Sequence, residues 1–148
     1  MRKLKFKAWD DLEKVMYQNV VIVDGTALRR DYFATDLYSQ ISKRLKPLQY
    51  TGLEDKDGVE IYEGDLLEQR GSTKVEMVTG TGRTSPYWKL CEVVFHYGGF
   101  KLVVVAHHNA YFGELPSKPQ QFFNIEGYLK VGNIYEHKNL LKENKDEG

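Results

Sequence analysis

The side chains able to do chemistry are few, and their spacing works against them. Four histidines stand at His96, His107, His108 and His137, and the single cysteine is Cys91. His107 and His108 are adjacent, and on a strand neighbouring side chains leave on opposite faces, so the two are poor joint ligands for one ion. No helical His-x-x-x-His or His-Glu-x-x-His pair occurs. One cysteine excludes a disulfide framework and a thiolate-rich zinc site. Cys91 falls mid-strand with no partner at a fixed spacing, which reads as a small buried apolar group. No nucleophile-elbow pattern is present. These features predict no catalytic residues, no metal, no cofactor and no enzymatic activity.

Carboxylates are the densest polar feature. Residues 49–68 hold seven of them against one lysine. Oxygen ligands suit calcium or magnesium. A calcium loop with Gly58 at its sixth position, however, would begin at Leu53, which cannot ligate. A carboxylate pair working as acid and base needs burial to separate its pKa values, and carboxylates on Asp-Gly turns are normally solvated. The block therefore reads as an acidic rim. Glu54, Asp55, Asp57 and Glu60 form the stretch that would steer a basic protein partner. Gly58, Gly64 and Asp65 read as turn residues. Glycine supplies left-handed backbone, and Asp65 is expected to accept backbone N–H groups before Leu66 enters a strand.

A third constellation pairs cations with aromatics: Arg70, Lys74, Arg83, Tyr87, Trp88 and Lys89. Such interleaving suits single-stranded nucleic acid, where bases stack and cations follow the phosphates. The Gly80–Ser85 stretch lacks the Gly-Lys-Ser/Thr of a phosphate-binding loop and reads as a hairpin tip. Twenty-one basic and 21 acidic residues leave no net charge, which weighs against a general polyanion binder.

These groups are carried by short strands. Leu4, Phe6 and Ala8 alternate with Lys3, Lys5 and Lys7, the period of a half-buried strand. Asp10-Asp11 ends that strand with turn-type residues. The apolar and β-branched run Val15–Val23 is a second strand before the turn signal Asp24-Gly25, and the two strands make residues 1–30 an N-terminal hairpin. Leu37, Ile41 and Leu45 recur at helical spacing, with Thr35 as a cap and Pro47 as a stop. A short helix is expected at 35–45 within a variable segment, 31–48. Closely spaced turns after residue 49 indicate a β core over 49–136. Strands are expected at 73–78 and 87–96, a loop at 79–86, a turn at Tyr97-Gly98-Gly99 and a return strand from Phe100 to Ala106. A short helix and tail would occupy 137–148. Tyr50, Tyr62, Phe95, Phe100, Leu102, Val104 and Ile134 are the expected core. The whole reads as one domain over 1–148, mainly β: a small bent sheet or partly open barrel. No apolar run approaches the ~20 residues of a membrane helix, and the start lacks the apolar stretch of a signal peptide.

Three blocks together resemble a known family. They are Phe6-Lys7-Ala8-Trp9-Asp10, the stretch from Gln49-Tyr50-Thr51-Gly52-Leu53 through Asp57-Gly58 to Ile61-Tyr62-Glu63-Gly64-Asp65, and Val131-Gly132-Asn133-Ile134-Tyr135-Glu136. In order and content they are similar to the YopX family of small phage and prophage proteins. The resemblance implies a phage or prophage origin, the cytoplasm of a bacterial host and a mostly β structure. It implies no reaction and no catalytic residue. Two functional classes follow: a non-enzymatic accessory module that binds a host or phage protein, or a nucleic-acid-binding accessory protein. Exposed strand edges and many tyrosines add an expectation of homo-oligomers.

Overall fold

The computed structural model describes residues 3–18, 20–29, 44–75, 83–108, 120–121, 125 and 127–143. Among the described residues the fold is mainly β with a short helix near the end, as the closely spaced turns predict. The chain forms two compact units, residues 1–54 with 60–63, and residues 55–59 with 64–148.

In the first unit β1 (Phe6–Asp10), β2 (Val15–Tyr17), β5 (Leu45–Glu54) and β6 (Glu60–Tyr62) make an antiparallel sheet in the order β2-β1-β5-β6. β3 (Val20–Val23) and β4 (Thr26–Arg29) form a separate hairpin. Its two turn residues, Asp24 and Gly25, have φ of 49° and 76°. Two left-handed residues in a two-residue loop match the twist of the flanking strands. The expected single strand 15–23 is broken after Tyr17, so its halves join different sheets. Ala8, Val20, Ala27 and Leu45 form the core, with Phe6, Tyr17 and Ile22 packed against it. Leu4, expected on that apolar face, is largely exposed.

One polar position behaves differently from its sequence reading. Asp10, a turn-type residue by its sequence, is the fully buried last residue of β1. Its Oδ1 accepts N–H bonds from Leu12 and Glu13 at 3.0 and 3.1 Å, and its Oδ2 takes the Arg44 guanidinium at 2.8 Å. Burial pushes the carboxyl pKa up, but Arg44 and the two N–H donors outweigh it and hold it below the usual range.

The expected helix at 35–45 falls mostly outside the described residues; Arg44 is helical, and Leu45 then opens β5, with Pro47 inside that strand. Tyr50 donates its N–H to Lys5 O. Alternation along β5 then turns the nitrogen of residue 47 away from β1. It faces the side of β6, which pairs only with residues 50–54. The missing N–H falls where no ladder bond is needed, so proline is tolerated there.

The second unit is built on β7 (Asp65–Val75), β8 (Arg83–His96), β9 (Gly99–His108), β10 (Gln120–Gln121) and β11 (Tyr128–Asn133), in the order β10-β9-β8-β7-β11. The sheet curls as an open half-barrel. Bulges between Leu90 and Cys91 and between Lys130 and Gly132 bend it. Leu66 and Leu90 are buried on one face, Leu67, Cys91 and Val93 on the other. The predicted loop at 79–86 ends earlier, because Arg83–Pro86 already pair with Ser72–Val75. The C-terminal helix is α1, Lys138–Glu143.

Of the expected core, Tyr50, Tyr62 and Leu102 are buried, whereas Phe100, Val104 and Ile134 are half-buried. Phe95 is a clear correction: it is 48% exposed, since it stands one residue from the β8–β9 turn.

Candidate functional site

The acidic block is largely structural. Asp55 is buried, not part of a solvated rim. Its Oδ1 accepts the N–H groups of Asp57 and Val59, each at 2.9 Å, which ties the turn around Gly58 (φ 81°). Its Oδ2 accepts the Lys130 N–H at 2.9 Å, and the neighbouring Lys56 N–H reaches Tyr128 O at 3.2 Å. Residues 55–59 thus cover the outer edge of β11, the standard way to keep a sheet edge from pairing with another chain. Burial pushes the Asp55 pKa up, but the Lys130, Val59 and Asp57 N–H groups and the Lys130 charge outweigh it and hold it below the ordinary value.

Asp65 is also buried, and its carboxylate meets the Lys130 ammonium at 2.8 Å. Lys130 therefore receives one aspartate at its backbone nitrogen and the other at its side chain. Gly64 between the turn and β7 has φ 84°, donates to Val93 O and accepts from Ile134 N. The block Gly132-Asn133-Ile134-Tyr135-Glu136 closes on itself as well. Asn133 Oδ1 accepts the N–H groups of Tyr135 and Glu136, and a Cβ at Gly132 would lie 2.7 Å from the His137 ring.

Of the four residues predicted to meet a partner, Glu54 and Asp57 are exposed. Glu60 is half-buried and bound to the Lys5 ammonium and the Tyr62 hydroxyl. The first unit also holds an open cavity of about 270 Å³ walled by Phe6, Val20, Tyr62 and this Lys5–Glu60 pair, whose charges neutralise each other. Among the described residues no three His, Cys, Asp or Glu side chains are grouped to hold a metal ion.

The cation–aromatic constellation does not gather on one face. Arg70 lies opposite Trp88, while Lys89 lies opposite Gln69, one register position away. Successive positions project to opposite sides of a strand, so the two cations point apart. Arg70 pairs with Glu68. The indole N–H of Trp88 leans on the same carboxylate without reaching full hydrogen-bond geometry. Tyr87 packs its ring across Gly71, and Lys89 lies 5.3 Å from the Tyr128 ring centre. Lys74 and Arg83 pair with Thr84 and Val75 in the ladder.

Beneath Lys89, Cys91 is buried beside the Tyr128 hydroxyl. Burial pushes the thiol pKa up, against smaller opposing effects from Lys89 and Tyr128. A thiol so placed is a poor nucleophile. Native protein is expected to resist a thiol reagent such as DTNB, and urea-unfolded protein to react fully. Rapid native labelling would contradict this placement.

The sequence places the β8–β9 turn, but its reading misses the backbone strain and exposure of Tyr97 at the tip. Tyr97 and Gly98 are its two turn residues, with φ of 48° and 76°. Glycine is at home there, but a bulky aromatic in the left-handed region is unusual and strained. Tyr97 is nonetheless 88% exposed. Its ring lies 4.0 Å from that of His96, and the Lys101 ammonium stands 5.5 Å from its centre. Phe95 and Phe100 meet edge to face at 5.2 Å on the other side of the hairpin. The sequence signal was a tyrosine where asparagine, aspartate or glycine belongs in a two-residue turn.

A family model described as "YopX protein" matches residues 5–142. The crystal structure of protein EF1440 from Enterococcus faecalis is similar, with a TM-score of 0.54 and 27% sequence identity. The match covers 95% of this chain and 99% of that one. No curated protein matches.

Proposed function

This chain belongs to the YopX family, and from that premise we propose that it is a non-enzymatic phage or prophage accessory module. On this reading it acts as a homo-oligomer in the bacterial cytoplasm and binds a host or phage protein through the β8–β9 hairpin tip. Among the described residues no helix is long and apolar enough to cross a membrane. One observation carries the reading: Tyr97 is held at φ 48° with 88% of its surface in water. The ring touches His96 and Lys101 yet stays almost wholly in water, so the strain returns little to the folded protein. A contact made outside the chain accounts for the side chain.

The consequence is a separation of stability from binding. Asparagine tolerates left-handed backbone and suits the first position of such a turn. Tyr97→Asn is expected to leave the fold intact and to raise its stability by ~0.5–1 kcal/mol, the scale of a relieved backbone strain. It is also expected to abolish co-purification of the partner from lysogenic cells. Urea melts and a parallel pull-down read the two effects. A destabilised variant that still captures the partner would sink the reading.

The nucleic-acid alternative predicts retention on single-stranded DNA with a log–log salt slope of about −3 for four phosphate contacts. The opposed placement of Arg70 and Lys89 favours the protein partner.

A further inference from the structure

Taking the tip as the contact surface, we infer that its counterpart is an acidic, apolar peptide segment of the partner protein. The hairpin from Val93 to Leu102 contains no carboxylate, and its one lysine, Lys101, sits beside the most exposed ring. His96 adds a second hydrogen-bonding group against the same ring. On the opposite side the half-exposed Phe95 and its neighbour Phe100 are already locked edge to face.

These two sides ask for different chemistry. An aromatic face carries a negative quadrupole and repels a carboxylate laid over it. Acidic groups of a ligand would therefore settle on Lys101 and His96, with apolar side chains beside them on the Tyr97 ring. Both features lie within a few residues of each other, which a short peptide can span. Single-stranded nucleic acid fits less well. It needs successive stacking platforms with several cations tracking the phosphates, and this hairpin offers one lysine. The His96 ring and the Lys101 ammonium already lie against the Tyr97 ring before contact, so less conformational freedom is lost on binding.

The test pans a displayed library of random twelve-residue peptides on the whole protein. Recovered peptides are then titrated against wild type, Tyr97→Asn and Lys101→Glu. Melting curves confirm that both variants fold. We expect the recovered peptides to be rich in Asp and Glu next to Leu, Phe or Trp. Binding should weaken about tenfold or more with either variant, as for a hot-spot residue and a reversed charge. Peptides sensitive to Tyr97→Asn but not to Lys101→Glu would overturn the acidic assignment and leave the tip as the contact surface. Peptides indifferent to Tyr97→Asn would overturn both. Tyr97-dependent binding of an oligo-dT strand or of phosphatidylglycerol vesicles, without acidic peptides, would overturn the peptide assignment in favour of that ligand.

Discussion

Asp55→Ala is expected to cost about 3 kcal/mol of stability, far more than an exposed acid on an Asp-Gly turn would. The buried carboxylate takes three backbone N–H groups, from Asp57, Val59 and Lys130. Alanine leaves these donors without their acceptor and frees the segment that covers β11. Asp55→Asn is expected to recover only part of the loss. Its single amide oxygen can serve the Asp57 and Val59 donors, but the amide NH₂ then faces the Lys130 N–H, donor against donor.

The sign of the pH dependence follows from the depressed folded pKa of Asp55. The unfolded chain takes up the proton first as pH falls. The stabilisation is complete above the ordinary aspartate value of about 4 and is lost as pH drops through the lower folded value. The gap between wild type and Asp55→Ala should narrow in that window. Asp10, held down by Arg44 and two N–H donors, contributes with the same sign. The two tryptophans divide the readout, because Trp9 belongs to the first unit and Trp88 to the second. Urea titrations of a Trp9→Phe background would follow the second unit. An unchanged midpoint for Asp55→Ala in that background would refute the cap.

Gly64→Ala is the other large effect expected, at about 2–4 kcal/mol. The left-handed φ alone costs an L-residue ~1 kcal/mol. Here the added Cβ would also stand 2.8 Å from Tyr135 Cε2. The backbone cannot turn away, since its N–H is bonded to Val93 O and its carbonyl to Ile134 N. Gly25 and Gly52 share the positive φ, but a Cβ there meets nothing within 4 Å. Alanine at either should cost only the conformational part, ~1 kcal/mol. Equal losses at all three positions, read by thermal melting, would show that the Tyr135 contact contributes nothing.

Local order was legible in the sequence wherever its cause was local. The period-two runs around Ala8 and Val93, the Asp24-Gly25 and Tyr97-Gly98 turns and the C-terminal helix follow from neighbouring residues. Most of the misreadings have distant causes. Asp55 looks like a solvated turn acid until Lys130, 75 positions later, is placed beside it. Asp10 and Arg44 are 34 positions apart. Leu45 fits the helical spacing of Leu37 and Ile41, but it opens a strand directly after the helical Arg44, because β1 is there to receive it. Phe95 looks like core by its type and alternation, and only its distance from the turn exposes it. The constellation from Arg70 to Lys89 was a set of residue types. Whether its members share a face depends on register, which composition does not carry.

The chain passes between its two units at residues 54–55, 59–60 and 63–64, and this fixes an order of events during synthesis. Residues 55–59 emerge early, yet the strand whose edge they cover is the last one among the described residues. Until Tyr128 and Lys130 have been translated, the Asp55 carboxylate has only its own turn to bind, and the second sheet is incomplete. Such long sequence separations are the ones that slow folding. A nascent chain halted before residue 128 should therefore present a sheet lacking its edge strand, and truncating the C-terminus would harm a segment lying in the first half of the sequence.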